Sequence, residues 1–281
     1  MSMNLPPYHV IAANVAAALA EDIGEADWTA MLVPEARTGS ATVISRQAAV
    51  ICGQAWFDEV FRQVDPQVQI AWRVAEGDAV EPGAVLCEIS GAARSLLTAE
   101  RSALNFLQTL SAVATETRRY VDIVQGTSAR VLDTRKTLPG LRRAQKYAVL
   151  VGGGDNQRMG LYAGILIKEN HILAAGSIRA ALEAAQELAP SHVPIQIEVE
   201  NLTELDEALA AGATSVLLDN MSNGDMREAV ARSRGQAELE ASGGVDLISV
   251  RAIAETGVDR ISIGKLTKDV VAVDLSMRLK V

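Results

Sequence analysis

Aromatic residues are scarce. The chain holds 3 Trp, 4 Tyr and 3 Phe among 281 residues, a poor supply for a base-stacking platform on single-stranded nucleic acid. Cysteine is scarcer still. Cys52 and Cys87 are the whole supply, which excludes a disulfide framework and leaves them as small apolar residues in a reducing compartment. Histidine is limited to His9, His171 and His192, and no Cys/His spacing of a zinc site occurs. Positive charge is in deficit: 26 Lys and Arg stand against 35 Asp and Glu, for a formal net charge of −9. A sequence-blind nucleic-acid binder needs a basic stripe instead. No Lys or Arg precedes Arg37, so the basic start of a secretory signal is lacking. No uncharged apolar run approaches the ~18 residues of a membrane span. The expectation is a cytoplasmic protein with no nucleic-acid and no membrane partner.

What is present is a core-forming chain. Hydrophobic residues make up 49% and charged residues 22%, too apolar for disorder and long enough for one large core or two domains. Residues 8–21 suit a helix, with Pro6 and Pro7 just before it. Residues 41–52 and 67–74 are rich in β-branched residues and predict strands. Turns at Glu76-Gly77-Asp78 and Pro82-Gly83 place a compact strand–turn–strand segment there. Residues 95–125 predict one or two long helices.

From about residue 128 the pattern becomes repetitive. Short apolar strands are expected at Arg130–Thr134, Gly164–Lys168, Ile195–Glu200, Ser215–Asp219, Glu238–Ala241 and Arg260–Ile263. Helical stretches at 177–189, 203–210, 224–234 and 247–256 separate most of them. Gly212 and Gly257 sit where a left-handed residue ends a helix. Strands alternating with helices imply a parallel sheet, and this many units fit a β/α barrel better than a short open sheet.

Each of these strands ends in chemistry. The first ends in Asp133, Thr134, Arg135 and Lys136, and the second in Lys168, Glu169, Asn170 and His171. The third carries Gln196, Glu198 and Glu200 on one face, because alternate strand residues share a face. The others end in Asp219-Asn220, Ser242-Gly243-Gly244 and Gly264-Lys265. Barrels place their active sites at the carboxyl ends of the strands, often with phosphate near the last two. Glu198 and Asp219 suit a shared Mg²⁺, with pairing to Lys168, Arg135 or Lys136 as the plainer alternative. Backbone N–H groups of Ser242-Gly243-Gly244 suit a phosphate at a helix start. Gly152-Gly153-Gly154 is a weaker candidate, since a glycine run is often only a turn.

Charge is unevenly spread. Residues 129–171 carry eight bases, Arg130, Arg135, Lys136, Arg142, Arg143, Lys146, Arg158 and Lys168, against Asp133, Asp155 and Glu169. That local surplus of five leaves −14 on the rest of the chain. A basic cluster at the mouth of an acidic barrel suits small polyanions, with Arg gripping carboxylate or phosphate and Lys acting as a point charge. The alternative is a surface lattice of salt bridges.

These residues compose a known pattern. DTRKTLPGLRRAQKYAV (133–149), the three glycines, and NQRMGLYAGILIKENHI (156–172) resemble the signature of the quinolinate phosphoribosyltransferase family. LLTAERSALNFLQTLSAVAT (96–115), IEVENLTELDEAL (197–209), VLLDNM (216–221), ASGG (241–244) and GVDRISIGKLT (257–267) agree, so the resemblance covers nearly the whole chain. It implies an N-terminal α/β sandwich domain over 1–112, to which the tail 270–281 returns, followed by an incomplete, open β/α barrel over 113–269. It also implies a homodimer, or a larger assembly built on one, whose active sites are shared between subunits. The implied reaction joins quinolinate and phosphoribosyl pyrophosphate with Mg²⁺, giving nicotinate mononucleotide, pyrophosphate and CO₂ on the way to NAD.

By resemblance, Arg135, Arg158 and Lys168 hold the quinolinate carboxylates, aided by Gln157, and Arg101 reaches the neighbouring subunit's site. Lys136 lies between the acid and the pyrophosphate. Glu198 and Asp219 serve the metal, while Ser242, Gly243, Gly244 and Gly264 hold the 5-phosphate. Lys136, Lys168, Glu198 and Asp219 are the expected catalytic set. Three positions depart from the family pattern: Gln157 where many members have His, Ala163 where Asp is general, and Ala26 in place of a glycine. Rival readings are a Schiff-base aldolase using Lys168, a weakened relative that only binds a phosphorylated ligand, and a sister phosphoribosyltransferase acting on another aromatic acid.

Overall fold

The computed structural model describes residues 5–280. In chain order its first elements are α1 (Tyr8–Ile23), β1 (Thr38–Ser45), β2 (Ala49–Val50), α2 (Gln54–Val64), β3 (Gln69–Trp72), β4 (Ala79–Val80), β5 (Val85–Ala92) and α3 (Ala93–Val124). Then come β6 (Arg130–Leu132), α4 (Arg142–Val151), β7 (Ile165–Ile167), α5 (Glu169–Ala175), α6 (Ile178–Leu188), β8 (Ile195–Val199) and α7 (Leu202–Ala210). The last are β9 (Ser215–Asp219), α8 (Asn223–Ser233), β10 (Glu238–Ser242), α9 (Val250–Ala254), β11 (Arg260–Ser262), α10 (Lys265–Lys268) and β12 (Leu275–Lys280). Among the described residues, no helix is long and apolar enough to cross a membrane.

Two compact units share the chain. The first takes the described residues through Arg118, Leu138–Gly153 and the described residues from Asp269 on; the second takes Arg119–Thr137 and Gly154–Lys268. In the first, a four-stranded antiparallel sheet has the order β12-β1-β5-β3. Alternation along β1 buries Ala41, Val43 and Ser45 on one face. Helix α2 turns Trp56, Phe57, Val60 and Phe61 inward, positions that fall on one helical face. The Phe57 ring meets Phe61 at 5.1 Å and Trp72, edge-on, at 5.2 Å. Much of the small aromatic supply is therefore spent on this core. The carboxylate of Glu76 accepts the N–H groups of Gly53 (2.8 Å) and Gln54 (3.1 Å) and so holds the start of α2.

The three-glycine run has a packing role here. A Cβ on Gly152 would lie 2.6 Å from both the Ala114 carbonyl oxygen and Thr117 Cβ, so α4 meets α3 through a bare backbone. Arg118 Nε then donates to the Gly152 carbonyl at 3.0 Å. The stretch 41–52, expected as one strand, is broken after Ser45. There the Ser45 hydroxyl donates to the Gln47 carbonyl (2.6 Å) and the Arg46 N–H turns to Asp274 (2.8 Å).

The second unit is the expected parallel sheet, six strands in the order β6-β11-β10-β9-β8-β7. Each of β7 to β10 pairs with its successor in the chain, and β6 joins the far side of β11. Strands β6 and β7 are the two edges, so the ring of hydrogen bonds stays open between them. Val216, Leu218, Leu239, Ala241 and Ile261 are buried on one face of the central strands, and the alternate residues Leu217, Glu240 and Ser262 are buried on the other. Ser177, Asn201 and Ser222 accept N–H groups at the starts of α6, α7 and α8 (3.0–3.1 Å). Gly212 (φ +84°) and Gly257 (φ +94°) take the left-handed conformation expected of them.

Candidate active site

The carboxyl ends of all six parallel strands open into one cavity of about 650 Å³. Both edge strands contribute, through Arg135 after β6 and through Leu166 and Lys168 from β7, so the open sheet curls around a common space. Six cations line it, Arg135, Lys136, Arg158, Lys168, Lys265 and Lys268, against the acids Glu198, Asp219 and Glu240.

Asp133 builds the cationic wall. It is fully buried at the end of β6. One oxygen accepts from Asn156 Nδ2 (2.7 Å) and the other from the Gln157 N–H (2.9 Å). The Asp155 N–H also donates to the Val131 carbonyl (2.8 Å), which lays this segment beside β6. Two chain segments, 133–136 and 156–158, are thereby locked into one wall. Arg158 donates from Nη1 to the Gly164 carbonyl at 2.8 Å, so a backbone oxygen next to Ala163 orients the guanidinium. Burial, with the positive charge of Arg135 added, pulls the Arg158 pKa down from its ordinary value. The group stays a cation, and the repulsion marks a place where an anion is favoured.

Lys168 follows β7 and forms an ion pair with Glu198 from β8; their side chains are 48% and 13% exposed. His171 serves the backbone: its Nδ1 accepts the Lys168 N–H at 3.0 Å, and its own N–H donates to the Lys168 carbonyl at 2.8 Å. Asp219 ends β9, the strand paired with β8, and takes a hydrogen bond from Asn220 Nδ2 (2.8 Å). Nearby Glu200 has its pKa raised by the charge of Glu169 first, then by burial and by Glu204, Asp219 and Glu198. Negative charge is thus concentrated on this side. Two carboxylates on adjacent strand ends suit Mg²⁺, which takes one or two and completes its shell with water and phosphate oxygens. Among the described residues no group of three or more His, Cys, Asp or Glu is placed to hold a metal ion.

Ser242, Gly243 and Gly244 form a third wall. A Cβ on Gly243 (φ +101°) would fall 2.1 Å from Asn220 Oδ1, so the Asn220 side chain lies directly on this backbone. Asn220 is itself left-handed (φ +53°). Among the described residues no hydrogen bond takes the N–H of Gly243, Gly244 or Gly264. The following helix begins only at Val250, so any phosphate cradle is this loop and not a helix start. Gly264 lets the Lys136 stem pass: an added Cβ would sit 3.1 Å from Lys136 Cδ. Thr267 Oγ1 fixes the same turn by donating to the Lys136 carbonyl at 2.7 Å.

The cavity thus gathers Arg135, Lys136, Gln157, Arg158, Lys168, Glu198, Asp219, Ser242, Gly243, Gly244 and Gly264. Arg101 is not in its lining and stands exposed on α3 in the first unit. The basic cluster of 129–171 divides. Arg142, Arg143 and Lys146 belong to α4, also in the first unit. Arg130, at the opposite end of β6, pairs with Asp155 (3.1 Å) and Glu238 (2.7 Å). Four of the eight bases remain for the cavity. Asn220, Glu240, Lys265 and Lys268 are lining residues outside the expected set. The strand-end pattern pointed at Asn220 and Lys265, but Glu240 lies inside a strand with nothing in the sequence to mark it.

Known proteins resemble this chain in sequence and fold. A family model described as "Quinolinate phosphoribosyl transferase, C-terminal domain" matches residues 113–278, and its N-terminal-domain counterpart matches 27–111. A Bacillus subtilis protein named probable nicotinate-nucleotide pyrophosphorylase (carboxylating) is 40% identical over 257 residues, covering 92% of this chain and 89% of its own. A Synechocystis protein of the same name is 39% identical over 278 residues, covering 98% and 94%. The solved nicotinate-nucleotide pyrophosphorylase of Francisella tularensis superposes with a TM-score of 0.96 at 44% identity, covering 100% of this chain and 99% of its own.

Proposed function

The chain belongs to the quinolinate phosphoribosyltransferase family, and on that footing we propose how its cavity carries out the family's reaction. The enzyme transfers the phosphoribosyl group of phosphoribosyl pyrophosphate to the ring nitrogen of quinolinate. Decarboxylation follows, giving nicotinate mononucleotide, pyrophosphate and CO₂ for NAD synthesis.

The observation that carries the reading is the meeting of three walls in one cavity: Arg135, Arg158 and Lys168; Glu198 and Asp219; and Ser242–Gly244. Quinolinate is a dicarboxylate, and the cationic wall fits it, with Gln157 adding a neutral donor. The 5-phosphate rests on the N–H groups of Gly243, Gly244 and Gly264 beside Ser242, near Lys265 and Lys268. Lys136 stands between acid and pyrophosphate. Glu198 and Asp219 would hold Mg²⁺, which neutralises pyrophosphate charge when bound.

Catalysis is electrostatic and positional. Lys136 and Lys168 stabilise negative charge as the bond to pyrophosphate loosens and the ribose gains oxocarbenium character. Arg135 and Arg158 hold the pyridine nitrogen toward that carbon. Once the nitrogen is bonded and cationic, the 2-carboxylate leaves as CO₂, and a proton takes the electron pair left on C2. Lys168 acts here as an ammonium gripping anions, and its place beside Glu198 suits that better than a Schiff base. Arg101, exposed in this chain, completes the site of a second copy, making a homodimer with shared sites.

Incubation with carboxyl-labelled quinolinate, phosphoribosyl pyrophosphate and Mg²⁺ tests the reaction directly. Labelled CO₂ is expected, in step with pyrophosphate. No release at saturating concentrations would sink the reading.

A further inference from the structure

A chain of three polar side chains runs from the cavity wall into the parallel sheet, and its direction is set at both ends. The backbone N–H of Arg158 donates to Gln157 Oε1 at 2.6 Å. Gln157 must therefore turn Nε2 the other way, where it donates to Gln196 Oε1 at 2.8 Å. Gln196 is left with its own Nε2 for the far side, and that nitrogen donates to Glu240 Oε2 at 3.0 Å. A backbone N–H can only give a hydrogen and a carboxylate oxygen here only accepts one, so neither amide is free to flip.

Glu240 is an unusual residue to find at the end of this chain. It is 1% exposed, Gln196 is 7% exposed, and Glu240 Oε1 is buried with no hydrogen-bond partner. A buried acid that is only half satisfied costs stability and calls for a reason. Gln157 and Glu240 both line the cavity. With its carbonyl taken by Arg158, Gln157 has only its NH₂ to offer a bound anion. Without Glu240, Gln196 could turn over, set NH₂ against NH₂, and push Gln157 off Arg158.

We propose that Glu240 is a positioning residue: through Gln196 it fixes Gln157 as an N–H donor to a carboxylate of the pyridine substrate. The proposal rests on the reading that quinolinate binds beside Gln157 and Arg158. Its signature is selective. The relay ends at the acid's side of the cavity, so its loss weakens the grip on quinolinate and leaves the grip on phosphoribosyl pyrophosphate alone.

The test uses the full-length protein and three variants, Glu240→Leu, Gln196→Leu and Glu240→Gln. Melting temperature controls for folding, and quinolinate binding is measured separately from turnover. Glu240→Leu and Gln196→Leu should raise the quinolinate KM about tenfold or more, as loss of a hydrogen bond to a charged group predicts. The phosphoribosyl pyrophosphate KM should stay within about twofold, since that binding is untouched. Glu240→Gln keeps an oxygen for Gln196 and should remain within about threefold of wild type. An unchanged quinolinate KM in the leucine variants overturns the proposal. So does an equal rise in both KM values, or a Glu240→Gln variant as impaired as Glu240→Leu. If Glu240→Leu does not fold, Gln196→Leu and Glu240→Gln decide. A wild-type enzyme that binds quinolinate without releasing CO₂ would instead refute the reaction, and the binding titrations would still judge the relay.

Discussion

Arg158 feels the charge of Arg135 across the cationic wall, and an incoming dicarboxylate turns that repulsion into two attractions. Arg135→Ala should therefore cost about 2–5 kcal/mol in kcat/KM for quinolinate, because it leaves a desolvated carboxylate without its partner. Steady-state kinetics on the purified variant check this, and near wild-type turnover and affinity would remove Arg135 from the site. Residues of this kind were legible in the sequence. Arg135, Lys136, Lys168 and Asp219 stand where a strand gives way to a loop, and a charged side chain after an apolar run is conspicuous. Glu240 and Gln196 were not legible as a pair, because their meaning comes from a contact across the sheet. The requirement for glycine at 243 is hidden in the same way. It depends on Asn220, which reaches that backbone from the neighbouring strand end.

Elements, more than residues, decide how closely the helices approach. The α3–α4 contact passes over Gly152 at a distance that leaves no room for a side chain. Its φ of −68° is ordinary, so Gly152→Ala strains no backbone and acts through crowding alone. Overpacking of this sort costs about 1–3 kcal/mol. Urea unfolding should show that loss, and an unchanged midpoint would mean the helices can shift apart freely. The parallel strands were readable to within one or two residues, since apolar runs bounded by glycine and polar residues have few other homes. The helix expected over 247–256 is shorter, Val250–Ala254. Asp246 accepts the N–H groups of Ile248 (3.0 Å) and Ser249 (2.8 Å) and holds that stretch as a turn. Such competition between a side chain and the helix is local, yet composition alone does not reveal which one wins.

At the scale of the molecule, charge is sorted by position. Arg130, Glu238 and Arg260 neutralise one another at the amino ends of their strands, while the cavity at the carboxyl ends keeps a surplus of cations. A net charge of −9 therefore repels large polyanions without denying the site to small ones. The proposed dimer makes a prediction that no single chain can satisfy. Arg101→Ala and Lys168→Ala should each be inactive alone. Mixed and allowed to exchange subunits, they should recover about a quarter of wild-type activity, because half of random C2 pairs contain one intact site of two. Mixing that restores nothing would confine each site to one subunit.

Strand β12 pairs along most of β1, from Ser40 opposite Lys280 to Ser45 opposite Leu275. On the ribosome, β1 emerges more than two hundred residues before the strand that covers its edge. For most of synthesis the first sheet therefore waits with an open flank of unpaired backbone groups, a surface prone to pairing with other nascent chains. A transcript cut short before residue 275 would leave that flank open permanently, so a truncated product should be lost to aggregation or proteolysis even though every residue of the cavity had already been made.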